Sequence, residues 1–391
     1  MITLDAALEM MLNSAVLKQT ECIHFGEALH RVLAEDAYAD MDMPPFDKSA
    51  VDGYACRRED IASELEIIET IAAGQKPLKV PGKNECSQIM TGAMLPEGSD
   101  CVIMVEKTVK AGENKIRCTD TNTKANISYK AEDIKEGDVV ITKGTLLKAA
   151  HIAVLASIGI TRPLVYETVK VGIISTGDEL VEPDRKPSCS QIRNSNAWQL
   201  LAQCTAMGIK ASYHGIAADN EEETYRMIME GMEANDLLLL SGGISMGRYD
   251  FVPGIMQKAG IDILFKKIAV QPGRPTLYGT KGQKRVIGLP GNPVSSFIQF
   301  ELLVKPLICK MMGHLYKAPF ITLPLQNDYR RKRAEVMGWF PVRINEKSEI
   351  EPIEYHGSAH ISSLLNADGL SCIEAGTTEL KKGSLVYVRL L

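Results

Sequence analysis

Between residues 169 and 312, five short and mostly apolar runs alternate with amphipathic stretches, and this alternation limits the fold more than any other feature of the chain. The runs are Val169–Ile174, Lys210–Ile216, Leu237–Leu240, Ile263–Phe265 and Arg285–Leu289. The helical stretches between them are Asn196–Met207, Glu221–Glu233, Phe251–Lys258 and Val294–Met312. Strands that are apolar on both faces need cover on both, which predicts a parallel sheet wrapped by helices, a doubly wound α/β unit.

The flanking segments read differently. Leu4, Leu8, Met11, Leu12 and Ala15 recur at helical spacing behind Thr3, a capping residue, so an N-terminal helix is expected, with a second short one near Gly26–Leu33. From about Met41 to Val140 the chain turns to short β-type runs (Leu65–Ile71, Ser87–Met90, Cys101–Glu106, Lys115–Cys118) broken by Gly, Pro, Asn and Asp, the pattern of a separate, mainly β domain. A helix is expected at Ala149–Ile158, and β-like alternation returns after Pro319.

A chain of 391 residues with 45% hydrophobic content builds two or three folded domains. Its net charge of −5 gives no global basic field, which argues against nonspecific nucleic-acid binding and makes any anion site local. The nine cysteines are scattered, odd in number and without a CxxC pair, as suits a reducing, cytoplasmic setting. The start lacks a basic, apolar leader, and the longest uncharged apolar stretch, Ala149–Ile160, falls short of the roughly 20 residues needed to span a bilayer. A soluble protein is expected, without membrane or nucleic-acid partners.

Ligands of such sheets bind where loops leave the carboxyl ends of the strands. Three marked loops leave there: Ser175–Leu180 (STGDEL), Ser241–Asp250 (SGGISMGRYD) and Leu289–Ser296 (LPGNPVSS). Gly242 and Gly243 after Ser241 let backbone N–H groups approach a phosphate, and Pro293 suits the first turn of a helix, where its missing N–H costs nothing. Asp178, Glu179, Asp219 and Asp250 lie at or just beyond strand ends, where such acids repel one another unless a hard cation such as Mg2+ offsets them. Asp219 has the plainer alternative of a helix N-terminal acid. Lys267 and Arg274 flank Gln271-Pro272-Gly273 beside the same edge and are suited to an oxyanion or to open solvent.

These residues carry a family resemblance. In order, Pro45–Ala55 (PFDKSAVDGYA), Met90–Ala93 (MTGA), Glu132–Ile134 (EDI), Ser175–Leu180, Ser241–Gly243, Pro272–Pro275 (PGRP) and Leu289–Ser295 resemble the molybdopterin molybdenumtransferases, the bacterial MoeA proteins and the gephyrin E-domain, over essentially the whole length. The resemblance implies a MogA-like doubly wound domain at 1–19 and 169–316, a small linker region at 20–40 and 138–168, a mainly β domain at 41–137 and a C-terminal β-barrel-like domain at 317–391. It implies a homodimer in which Asp52, Thr91 and Asp133 reach the partner's cleft. The reaction implied is insertion of molybdenum from molybdate into adenylylated molybdopterin, giving the molybdenum cofactor and AMP. Mg2+ would be held by Glu179, Asp219 and Asp250. The substrates would meet Ser241, Gly242, Gly243, Lys267, Gln271, Arg274, Pro290, Pro293, Ser295, Arg343 and Ser358. A molybdopterin adenylyltransferase and molybdoenzyme maturation proteins are the partners it suggests.

Some positions depart from the family pattern. Gln271 stands where many relatives have Lys, Asn126–Asp133 (NISYKAED) lacks an Arg-rich stretch and has Lys130 as its one basic residue, and Gly338–Arg343 (GWFPVR) lacks a Gly-Arg pair, leaving Arg343 as the substitute. A tungstate preference is one consequence this allows. A molybdopterin adenylyltransferase and a dimeric, noncatalytic scaffold are the other readings; the extra β domains with VDGYA and MTGA oppose the first, and the dense acids and glycine loops oppose the second. Arg330–Arg333 (RRKR) reads as a solvated turn with substrate recruitment as its alternative, and His356 with His360 as loop residues rather than a metal site.

Overall fold

The computed structural model describes residues 1–244, 252–353, 357 and 359–391. It divides into two compact units, one of residues 1–34, 144–148 and 164–391, the other of residues 35–143 and 149–163.

The first unit is built on a six-stranded sheet ordered Ser212–Ala217, Val171–Thr176, Leu237–Ser241, Lys284–Leu289, Leu277–Lys281, Asp262–Phe265. The first four strands are parallel, as expected; the last two pair antiparallel, so the sheet is mixed rather than purely parallel. Leu277–Lys281 was not foreseen as a strand, because Gly279 interrupts it. A β-carbon there would lie 2.6 Å from Ile261 Cγ2, so the glycine marks a close approach within the sheet.

The strand Leu237–Ser241 shows how an all-leucine run serves two cores. Leu237 and Leu239 join the cluster of Ala197, Leu200, Val294 and Ile298, whereas Leu238 and Leu240 join that of Met227, Ile228, Ile255 and Met256. Side chains alternate across the sheet with period two, and helices Ser195–Ala206 and Pro293–Gln299 cover one face while Glu221–Ala234 and Val252–Lys258 cover the other. Burying leucine side chains on both faces contributes roughly 1.5–3 kcal/mol each. Pro293 opens its helix behind Asn292, and the helix continues through a π-helical segment, Phe300–Val304, to Met311. The N-terminal helix Leu4–Asn13 is capped by Thr3 Oγ1, which accepts from Ala6 N–H at 3.2 Å. The second short helix near Gly26–Leu33 does not form. A three-residue 3-10 turn, Phe25–Glu27, stands there; His30 has φ 64°, and Val32 bridges to Leu146.

The C-terminal part carries a second six-stranded sheet, and one of its strands comes from far upstream. Val270–Gln271 pairs parallel with Met337 and Gly338, which brings the Gln271–Arg274 loop against the C-terminal β structure. The remaining strands, Met337–Ile344, Gly369–Ile373, Leu385–Leu390, Phe320–Pro324 and Ile350–Pro352, pair antiparallel.

The second unit holds a six-stranded sheet ordered Cys101–Met104, Gly53–Cys56, Glu85–Ile89, Glu64–Ile71, Lys115–Cys118, Thr108–Lys110. Tyr54, Cys56, Leu65, Cys86 and Ile103 pack on one side, and Ala55, Ile71, Ile89 and Val102 on the other. No helix among the described residues is long and apolar enough to cross a membrane.

Candidate functional site

The carboxyl ends of the parallel strands open into a cleft of about 680 Å3 lined by Thr176, Glu179, Asp219, Ser241–Gly243 and Pro290–Pro293. The three marked loops therefore meet around one space. Asn196, at the start of the helix Ser195–Ala206, ties two of them together: its Nδ2 donates to Ser241 Oγ and to the Gly291 carbonyl, both at 2.8 Å. Beneath it, Ser175 Oγ donates to Asn194 Oδ1 at 3.0 Å, Asn194 Nδ2 to Tyr213 Oη at 2.8 Å, and Tyr213 Oη to Glu182 at 2.7 Å. Burial, with the Glu182 carboxylate, pushes the Tyr213 phenol upward, so it stays a proton donor.

Gly242 and Gly243 have φ of 95° and 64°, a backbone that a β-carbon strains, and they lie against the end of the neighbouring strand at Thr176. Two buried polar atoms of the cleft walls lack a partner among the described residues: Thr176 Oγ1 and Asn196 Oδ1. Such groups cost about 1–3 kcal/mol each when left unpaired, which marks the cleft as a place where a polar ligand completes the bonding.

Asp219 and Asp178 are locked together, Asp219 N–H donating to Asp178 Oδ1 at 2.9 Å and Asp178 N–H to Asp219 Oδ2 at 3.5 Å. Asp178 thus fixes the loop, and Asp219 and Glu179 line the cleft. No cluster of three or more metal-ligating side chains occurs among the described residues, and Asp250 lies outside them. Two carboxylates lining one polar cleft still fit Mg2+, which keeps several waters and commonly takes only one or two protein carboxylates.

A second cavity of about 860 Å3 shares Pro275, Pro290 and Asn292 with the first. Gln271, Arg274 and Ser295 line it, together with Arg330–Arg333 and Trp339. The Arg330–Arg333 run is thus a cavity wall rather than a turn facing only solvent, an outcome that needs the long-range pairing of Gln271 with Gly338. Gln299 Nε2 donates to the Pro272 carbonyl at 3.0 Å and holds the Gln271–Arg274 loop in place.

Several expected residues lie elsewhere. Lys267 lines neither cavity; its carbonyl accepts from Ile2 N–H at 3.3 Å. Arg343 lines a different surface hollow and pairs with Glu351, its Nε donating at 3.0 Å, because it projects from a part of its strand remote from Gly338. Lys130 pairs with Asp42 at 3.1 Å. Ser358 and His356 lie outside the described residues. In the second unit, Asp52 accepts from Thr91 N–H at 2.7 Å and Thr91 Oγ1 at 2.8 Å, and these bonds, the backbone one first, hold its carboxyl below the usual range. Asp133 is exposed, its N–H donating to the Met43 carbonyl at 3.1 Å. Asn194, Asn196 and Trp339 had no assigned role in the sequence; the Asn-Ser-Asn triplet opening a helix was the available sign of the first two.

Residues 2–159 match the family described as MoeA N-terminal region (domain I and II), 172–310 the probable molybdopterin binding domain, and 322–391 the MoeA C-terminal region (domain IV). The chain is 32% identical to the molybdopterin molybdenumtransferase of Staphylococcus epidermidis, over 99% of this chain and 95% of that one. It is also 32% identical to that of Bacillus subtilis, over 100% and 94%. The chain belongs to the molybdopterin molybdenumtransferase family. Membership makes it an enzyme of molybdenum cofactor biosynthesis, a molybdotransferase. Among solved structures it resembles the molybdopterin biosynthesis MoeA protein of Pyrococcus horikoshii, with a TM-score of 0.84 and 29% identity over the full length of both chains. A second structure of the MoeA protein from that source gives a TM-score of 0.78 at 31% identity, covering 100% of this chain and 98% of that one. The molybdopterin molybdenumtransferase fold thus accounts for both β units as well as the doubly wound sheet.

Proposed function

We propose that this enzyme inserts molybdenum from molybdate into adenylylated molybdopterin and releases AMP. The observation that carries the reading is the pair of adjoining cavities with opposite character, one lined by Glu179 and Asp219, the other by Arg274 and its basic neighbours. In this reading the phosphoanhydride lies over Ser241–Gly243, where the Gly243 N–H and the Thr176 hydroxyl meet its oxygens, the Gly242 N–H being held by the Leu289 carbonyl at 3.1 Å. Glu179 and Asp219 would hold Mg2+, with Asp250 as a third candidate, and an ion held there would neutralise the diphosphate. Asn196 and Asn194 hold the loops at fixed spacing, and Arg274 and Ser295 donate to molybdate in the adjoining cavity. The two thiols of the dithiolene would bind molybdenum as one oxo ligand of molybdate takes their two protons and leaves as water, and hydrolysis of the phosphoanhydride frees AMP. Positioning supplies the catalysis, so no nucleophilic side chain is required.

The exposed Asp52–Thr91 pair and Asp133 belong to this reading as contributions from a second copy in a homodimer. The test is Mg2+-dependent AMP release by the wild type, Glu179→Gln and Asp219→Asn. Each substitution is expected to lower the rate at least about tenfold and raise the Mg2+ requirement; wild-type rates and Mg2+ dependence would remove both residues from the metal role.

A further inference from the structure

We propose that Lys332 and Arg333 join Arg274 as charged determinants of oxyanion binding in the second cavity. The inference rests on the reading of that cavity as the molybdate compartment and names the residues and ligand class it depends on. Arg274, Arg330, Arg331, Lys332 and Arg333 line the cavity, and its described lining includes no carboxylate. These five cations are not equivalent. Arg331 is committed to the fold: Nε donates to the Thr377 carbonyl at 2.8 Å, Nη1 to Val336 at 2.8 Å and Nη2 to Glu374 at 2.6 Å. Arg330 is held by Glu379, its Nε donating at 2.5 Å. Lys332 and Arg333 are exposed and make no ion pair among the described residues, and Arg274 is likewise exposed. Facing cations without a counter-charge repel one another, and an anion relieves that cost.

A second observation points the same way. Trp339 is 7% exposed, lines this cavity, and its buried Nε1–H has no partner among the described residues. An oxyanion supplies the acceptor that this donor lacks, and the cavity wall adds Arg274 with the neutral Gln271, Asn292 and Ser295. A guanidinium fork and an ammonium with a neighbouring indole N–H suit a tetrahedral dianion, which presents acceptors in every direction. At about 860 Å3 the cavity is also far larger than such an ion, leaving room for the organic part of a substrate.

Equilibrium titration of molybdate, tungstate, sulfate and phosphate, followed by Trp339 fluorescence in a Trp198→Phe background, tests the assignment. In that background Lys332→Gln with Arg333→Gln is expected to weaken molybdate binding about tenfold or more and to flatten its salt dependence. Lys332→Arg with Arg333→Lys should retain affinity, and Lys347→Gln, on a different surface, should match the parent. In turnover, KM for molybdate should rise while kcat at saturating molybdate holds. Undiminished affinity in the Gln variant, or no binding of any oxyanion by the parent, overturns the proposal. Oxyanion binding that depends on both residues, without molybdate-dependent AMP release, leaves this assignment standing and refutes the proposed reaction.

Discussion

An alanine at position 242 meets two penalties at once. Gly242 has φ 95°, and a β-carbon there would sit 2.6 Å from the Thr176 carbonyl oxygen and 3.0 Å from Thr176 Oγ1. The backbone conformation costs an L-residue about 1–2 kcal/mol. The contact with Thr176 is with the main chain of the adjoining strand, so relief requires moving that strand end, an overpacking cost of about 1–3 kcal/mol. Together Gly242→Ala should destabilise the first unit by about 2–5 kcal/mol, a fall in unfolding temperature of roughly 5–15 °C. Gly291, across the same cleft, provides the control: its nearest neighbour to an added β-carbon is Gly242 Cα at 3.6 Å, an ordinary contact, and its φ is not in the strained region. Gly291→Ala should therefore stay within about 1 kcal/mol of wild type. Thermal unfolding of both variants, with AMP binding measured alongside, decides the matter. Equal stability of Gly242→Ala and wild type, or equal damage from Gly291→Ala, would refute the claim that the Ser241–Gly243 loop is pressed against Thr176 to shape a phosphate site.

Thr91→Ala removes one of the two bonds that depress the Asp52 carboxyl, while the Thr91 N–H bond at 2.7 Å remains. Because the folded value lies below the unfolded one, this pair stabilises the protein above the unfolded pKa and loses that contribution as pH falls through the folded value. A carboxyl-carbon NMR titration should show the Asp52 midpoint rising in the variant; an unchanged midpoint would contradict the assigned cause. Asn196→Ala breaks two 2.8 Å bonds between cleft loops but also deletes the unpaired Oδ1, so the net destabilisation should be only about 1–2 kcal/mol while AMP affinity falls more steeply. A large stability loss with intact AMP affinity would place Asn196 in the scaffold alone.

The sequence made the doubly wound unit legible because apolarity on both strand faces has few structural solutions. Leu237–Leu240 could hardly lie anywhere but at the centre of a covered sheet, and the loops that follow Ile174, Leu240 and Leu289 had to leave on one side. What escaped was set by distant contacts. Gly279 hid a strand whose reason is Ile261, a neighbour no local pattern reveals. Val270–Gln271 is two residues long, too short to show periodicity, yet its pairing with Met337 and Gly338 brings Arg330–Arg333 and Trp339 into the wall of the second cavity. Arg343 failed as a substitute for a missing cation because chain position says nothing of which surface a strand residue faces, and here Glu351 already holds it. The Gly26–Leu33 helix lost to the bridge between Val32 and Leu146, a tertiary pairing that outweighs a weak local preference.

The most direct test of the account is AMP release from adenylylated molybdopterin by the purified enzyme with Mg2+, with and without molybdate, coupled to activation of a cofactor-free molybdoenzyme. Molybdate-dependent release that tracks activation is the result predicted. Release that ignores molybdate and tungstate alike, or no release with either, would contradict the joining of an anhydride cleft to an oxyanion cavity in one active site.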